Sequence, residues 1–185
     1  MPSLTALWMP IVLSAIFVFI ASSIMHMFLP YHRGDYRALP EEPKTLEALR
    51  GLGLTKGLYV FPYSSHKEMK SPTMVEKYKL GPVGMLTVLA SEPPPMPRFL
   101  GMWFVFCLLM GIFVAYVTAH TVPVGAEYLT VFRLAGTVAF MGYGLGKLSD
   151  AIWRGQTWSM TIKEVIDGLV YGLLTAGTFG WLWPR

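Results

Sequence analysis

A chain of 185 residues that is 54% hydrophobic, only 14% charged and has a mean hydropathy of +0.48 is too apolar for an ordinary soluble domain, so lipid is its expected solvent. The net charge of +4 does not point to nucleic acid, because the lysines and arginines lie between apolar runs instead of forming a basic stripe with interleaved aromatics. The single cysteine, Cys107, sits inside an apolar run and excludes an intramolecular disulfide or a thiolate zinc framework.

The first run, roughly Leu7 to Leu29, carries no formal charge beyond what His26 can take up, and as a helix it reaches about 34 Å, enough to cross a hydrocarbon core. No Lys or Arg precedes it, whereas a secretory signal needs a positive n-region, so residues 1–29 are expected to be a retained first transmembrane helix. His26 lies near its inner end, on a face shared with Ser22 and close to Ser23, where an imidazole hydrogen-bonded to its neighbours is the ordinary role. Ligation of haem or metal would need a second ligand from His32, His66, Met25 or Met27, none at a diagnostic spacing, so no metal site and no cofactor is expected.

Residues 30–98 have soluble composition and read as a small α/β insert ending in a stiff proline-rich spacer, Glu92-Pro93-Pro94-Pro95-Met96-Pro97. Pro43 to Arg50 reads as a short helix closed by Gly51. Ser71-Pro72 opens a second that Gly81-Pro82 ends. Gly57 to Phe61 and Gly84 to Ala90 are β-rich runs that could pair. Two strands and two short helices make a thin core, so the insert is expected to lean on the membrane region or on a partner.

Residues 99–185 hold three more expected spans, roughly Phe99 to Thr121, Tyr128 to Leu145 and Ile162 to Trp183. An interfacial segment near 149–160 carries Ile152, Trp153, Arg154 and Trp158. The expected fold class is membrane all-α, with four transmembrane helices and a small α/β cytosolic insert between spans one and two. Arg33, Arg37, Lys44, Lys79 and Arg98 flank the insert, and Lys147, Arg154 and Lys163 occupy the last loop, against Arg185 alone on the other side. Both termini are therefore expected outside the cytosol.

In span three Gly136, Gly142 and Gly146, and in span four Gly168 and Gly172, supply small-xxx-small spacing, Gly142/Gly146 and Gly168/Gly172, that lets helix backbones approach closely. Gly142-Tyr143-Gly144-Leu145-Gly146-Lys147 superficially suggests a phosphate loop. It lacks the earlier glycine and the following Ser or Thr, with Met141 and Leu148 in those places. Arg133, about one and a half turns into span three, is expected to snorkel to phosphates or Glu127, or to make a polar contact inside a bundle. Thr161-Ile162-Lys163-Glu164 has capping-box spacing, which assigns Glu164 to closing the start of span four, and Lys163 stands four residues from Asp167, a spacing that allows a local ion pair.

Ser22-Ser23-Ile24-Met25-His26-Met27, Asp35-Tyr36, Leu39-Pro40, Gly81-Pro82-Val83-Gly84, and Asp167-Gly168 through Gly177-Thr178-Phe179-Gly180-Trp181-Leu182-Trp183-Pro184 together resemble a family of small bacterial inner-membrane proteins with no assigned activity. The resemblance covers nearly the whole chain, implies a bacterial inner (plasma) membrane and transfers no catalytic residues.

No HExxH, GxSxG, CxxC or phosphatase-like carboxylate cluster is present, which lowers the expectation of an enzyme and names no catalytic residue. The function expected from sequence is a non-catalytic membrane subunit or scaffold, packed in the bilayer against other membrane subunits or copies of itself and docking a cytosolic partner. A small oligomeric channel or transporter comes second and a membrane-embedded enzyme third. Nucleic acid is not an expected partner.

Overall fold

The structure is a computed structural model that describes residues 2–185; Met1, with which the expected first segment begins, lies outside the described residues. The described residues divide into a helical unit, residues 2–35 and 95–185, and an inserted unit, residues 36–94.

The helical unit is built from α1 (Trp8–Ser23), α4 (Met96–Thr121), α5 (Tyr128–Tyr143), α6 (Leu148–Arg154) and α7 (Trp158–Trp181). Helix α1 packs on α4 and α7, and α5 on α4 and α7, so the long helices form a ring of four around one core. Leu7, Val18, Val114, Val131 and Phe179 are fully buried in that core. Three helical stretches, Leu4–Phe28, Met96–Thr121 and Tyr128–Arg154, are long and apolar enough to cross a membrane. The chain is a multi-pass membrane protein.

Glycines set the closest contacts. A Cβ on Gly168 would stand 2.3 Å from the Cα of Gly144 and one on Gly136 2.9 Å from the Cβ of Ala176, while Gly172 lies against the backbone of Phe140 and Gly136. The α5–α7 seam therefore runs through Gly136, Gly144, Gly168 and Gly172. Gly142 is not on that seam: its Cβ would meet the tip of Met110 on α4. Gly146 has no heavy atom near enough to pack on. The physical reason is that α5 loses its α-helical pattern at Gly144 and continues as a 3-10 turn, Leu145–Lys147, so a spacing of four no longer returns to the same face.

Several boundaries differ from the expectation. Helix α4 starts at Met96 and not at Phe99, because proline is well tolerated in a first helical turn and the end of the proline-rich spacer becomes helix. Helix α7 starts at Trp158, four residues before Ile162, because Thr157 is its N-cap and accepts from the Met160 amide at 3.4 Å. Residues 30–35, expected in the insert, belong to the helical unit.

The inserted unit contains α2 (Glu42–Gly51), β1 (Gly57–Phe61), α3 (Pro72–Leu80) and β2 (Gly84–Val88). The strands pair antiparallel with Gly57 opposite Val88 and Phe61 opposite Gly84. Ser71 caps α3, and Gly81 ends it at a φ of 61°, a left-handed angle that glycine adopts without strain. Met74 is the buried apolar residue of this unit, whereas Leu58, Val60 and Met85 on one face of the hairpin are exposed.

Candidate functional site

Three separate segments meet at the end of the bundle where α1 finishes and α7 begins. The hydroxyls of Ser22 and Ser23 both donate to the Phe19 carbonyl, and below them α1 widens into a π turn, Ile24–Phe28, closed by the Leu29 amide on the Ile24 carbonyl at 3.2 Å. Side-chain donors on the last α-helical carbonyls loosen a helix in this way, and π turns are frequent at working sites. Leu29 is extended, as a residue before proline must be, and Pro30 opens a 3-10 turn, Pro30–His32. This break brings Tyr31, His32 and Asp35 back towards α7.

Asp167 on α7 is the centre. Its side chain is only 3% exposed, and its partners are two imidazoles and a phenol: Tyr31 donates to Oδ1, while Oδ2 lies 2.9 Å from His32 Nε2 and 3.7 Å from His26 Nε2. Both rings are oriented from behind. His26 Nδ1 lies 3.1 Å from the Ser22 carbonyl and must donate to it. His32 Nδ1 lies 2.6 Å from Asp35 Oδ2. The two rings stack, with centroids 4.4 Å apart. Lys163 donates to Asp35 Oδ1 at 2.5 Å and to the Tyr31 carbonyl at 2.6 Å.

The charge balance follows from these contacts. Hydrogen bonds from Lys163 and then His32 hold the Asp35 carboxyl below the usual carboxylate range, against a smaller opposing effect of burial. Burial disfavours charge on His32, but hydrogen bonds and the charges of Asp35 and Asp167 together raise its basicity. Burial, and then the bond to Asp167, raise the Tyr31 hydroxyl well above its ordinary value. Because Lys163 is engaged by Asp35, no lysine or arginine among the described residues pairs with Asp167. The i, i+4 pair expected between Lys163 and Asp167 does not form; each side chain reaches instead to the residues after Pro30. Glu164 does not close the helix either. It accepts from Gln156 Nε2 at 2.9 Å and lies 3.9 Å from Lys147, because the helix has already been started by Thr157.

Beside this cluster opens a cleft of about 330 Å³ between α1, α4, α5 and α7. Asp167, His26, Glu164 and Lys147 supply its polar rim, and Met27, Met96 and Leu100 its apolar side. Deeper in, Trp103 donates to the Ser22 hydroxyl at 2.8 Å and packs against Tyr143 and Tyr171. The Tyr171 hydroxyl is buried and has no hydrogen-bond partner among the described residues. A cleft of this size with a few convergent polar groups is the common form of a small-molecule site.

Of the intramembrane polar residues singled out from sequence, His26, Lys163, Glu164 and Asp167 gather at this end. Arg133 does not: it is exposed on α5 and makes no ion pair among the described residues. Tyr31, Asp35, Trp103 and Tyr171 were not expected at a site, and His32 entered only as one of four residues from which a second ligand beside His26 would have to come. For Tyr31, His32 and Asp35 the signal is the run His26-Met27-Phe28-Leu29-Pro30-Tyr31-His32-Arg33-Gly34-Asp35, where a proline break folds two histidines and an aspartate together; Trp103 and Tyr171 carry no such local signal. No family model, no curated protein and no solved structure matches the chain.

Proposed function

We propose that the chain is a four-span membrane protein that binds an amphiphile in this cleft, with the apolar chain along Met27, Met96 and Leu100 and the polar head at Asp167, Glu164 and Lys147. Tyr171 carries the reading. Its hydroxyl is buried on the cleft wall without a partner among the described residues, an arrangement that costs about 1–3 kcal/mol unless a bound molecule satisfies it. A scaffold gives no reason to keep a phenol donor idle beside an open space.

Helix α7 is the fourth span in this reading. Its 24 residues reach about 36 Å, and Lys163, Glu164 and Asp167 all lie in its first three turns with partners from other segments. Arg33, Lys147, Arg154 and Lys163 gather at the cleft end, which supports a cytosolic face there and both termini on the opposite side. The family resemblance supports a bacterial inner membrane.

The test is a titration of the full chain in lipid nanodiscs with dodecyl phosphate, dodecylamine and dodecanol, read by tryptophan fluorescence. One head group should bind saturably. Tyr171→Phe should weaken it about fivefold while leaving thermal stability equal or higher, and Leu100→Trp should block it. Identical titrations for wild type and both variants would sink the reading.

A second reading, a non-catalytic membrane subunit that holds a cytosolic partner or a further membrane subunit, draws on the thin core of the inserted unit. Leu58→Lys with Val60→Lys should then release a defined copurifying protein and leave amphiphile binding intact.

A further inference from the structure

We propose that His26, His32 and Asp167 bind a divalent transition-metal ion of the zinc and iron(II) class at the rim of the cleft. The proposal stands on the geometry of the donors and does not need the cleft to accept an amphiphile. One donor atom from each of the three residues lies within 4.8 Å of the others. The separations of 2.9 and 3.7 Å from the Asp167 oxygen bracket the roughly 3.3 Å that two donors on a tetrahedral zinc would show.

The surroundings match what metal-ligating histidines need. A ligating imidazole gives its lone pair to the ion from one nitrogen and donates its other N–H to a carbonyl or carboxylate, which fixes ring and tautomer. His26 does this through the Ser22 carbonyl and His32 through Asp35, leaving both Nε2 atoms aimed at the same carboxylate oxygen. Asp35 is itself locked by Lys163, whose positive charge is thereby spent away from Asp167. The remaining buried carboxylate is without a lysine or arginine among the described residues, and a cation held by it and two imidazoles resolves that cost.

Two imidazoles and one carboxylate suit zinc or iron(II) and disfavour magnesium and calcium, which require oxygen donors. Ligation uses the lone pair of each Nε2, so a proton on either nitrogen competes with the ion. Three protein ligands leave at least one coordination position free, and since His26 and Asp167 both line the cleft, that position is reachable from it.

The full chain, purified in mild detergent and stripped with a chelator, should take up one cobalt(II) per chain with a visible absorption spectrum, and zinc should displace it. Magnesium and calcium should not compete. His26→Ala is the deciding variant, because that side chain is half exposed and its loss leaves the fold intact; it should weaken binding at least about tenfold. Asp35→Asn removes no ligand and should weaken binding by about 10- to 100-fold. His66→Ala, in the inserted unit, should change nothing. Uptake far below one ion per chain, unaltered binding in His26→Ala, or equal competition by magnesium would each overturn the proposal. Amphiphile binding without metal uptake would overturn this inference alone, and metal uptake without amphiphile binding would overturn only the cleft reading.

Discussion

The two ends of the helical bundle are held together by different physics. At the end where α1 meets α7, a carboxylate, two imidazoles, a phenol, an ammonium and a second carboxylate are joined in one network. At the opposite end the closure is neutral. Trp183 Nε1 donates to the Pro123 carbonyl at 2.9 Å, the Gly125 amide donates to the Pro184 carbonyl at 2.9 Å, and the Tyr128 ring lies so close to Gly180 that a Cβ there would approach it to 2.7 Å. A bundle can therefore be closed with aromatic packing and a few backbone contacts. The buried ionic network at the other end is an unusual expense for stability alone, since apolar replacements of buried ion pairs are often neutral or stabilising. That difference directs attention to the polar end as the working part.

The first way to break the comparison is to part the helices where they come closest. Gly168 sits one residue from Asp167 and against the backbone of Gly144, so nothing flexible can give way. Gly168→Leu should fail to accumulate as folded protein, and Gly168→Ala should lose about 3 kcal/mol or more in detergent unfolding. Gly142→Ala meets only the mobile end of Met110 and should cost far less, and Gly146→Ala should cost nothing beyond noise. Equal losses at Gly142 and Gly168 would contradict the seam described here.

Next in size is the lysine. Lys163→Met leaves Asp35, whose side chain is 4% exposed, without its ammonium partner, and about 3 kcal/mol of stability should go with it. The double variant Lys163→Met with Asp35→Asn should recover a large part of that loss, which unfolding midpoints at one pH will show. If the single variant is neutral, the polar end contributes no more than a surface pair and its contrast with the neutral end dissolves.

Much of this architecture was legible in the chain. The apolar runs mark the helices because a bilayer admits few other backbones, and the helices and strands of the inserted unit follow from Pro43, Ser71-Pro72, Gly81-Pro82 and the β-rich runs between them, although β2 stops at Val88 and not at Ala90. The polar site was legible only in pieces. His32 and Asp167 are 135 residues apart in sequence, and no local spacing announces that pairing. Lys163 was assigned to Asp167 because i, i+4 neighbours are visible in sequence, whereas the competing partner, Asp35, becomes visible only once the break at Pro30 turns the chain back. The glycine rule misplaced Gly142 and Gly146 for a related reason: it assumes an unbroken α-helix through Gly144, where the helix tightens.

At the neutral end, Trp183→Phe keeps the ring and removes one hydrogen bond to the Pro123 carbonyl. The expected cost is about 1 kcal/mol, measurable as a small fall in the unfolding midpoint, with no change in metal or amphiphile binding. A change in either binding property would show that the two ends are coupled.

The smallest effect is expected at Arg133, the one arginine well inside α5. Its side chain is exposed and, among the described residues, no carboxylate reaches it. A guanidinium placed about one and a half turns from a helix end can carry its charge to the lipid phosphates along its aliphatic stem, so it neither holds the bundle together nor enters the polar site. Arg133→Leu exchanges a charge that must be kept near the interface for a side chain that hydrocarbon accepts. Stability in detergent should stay within about 0.5 kcal/mol of wild type, and insertion into the membrane should be unchanged or slightly improved. The informative readout is the contrast with Lys163→Met. Both substitutions remove one positive charge from the helical unit, yet only the lysine faces a buried carboxylate. If Arg133→Leu destabilises as much as Lys163→Met, the arginine has a partner outside this chain, and the neutral end of the bundle is an interface.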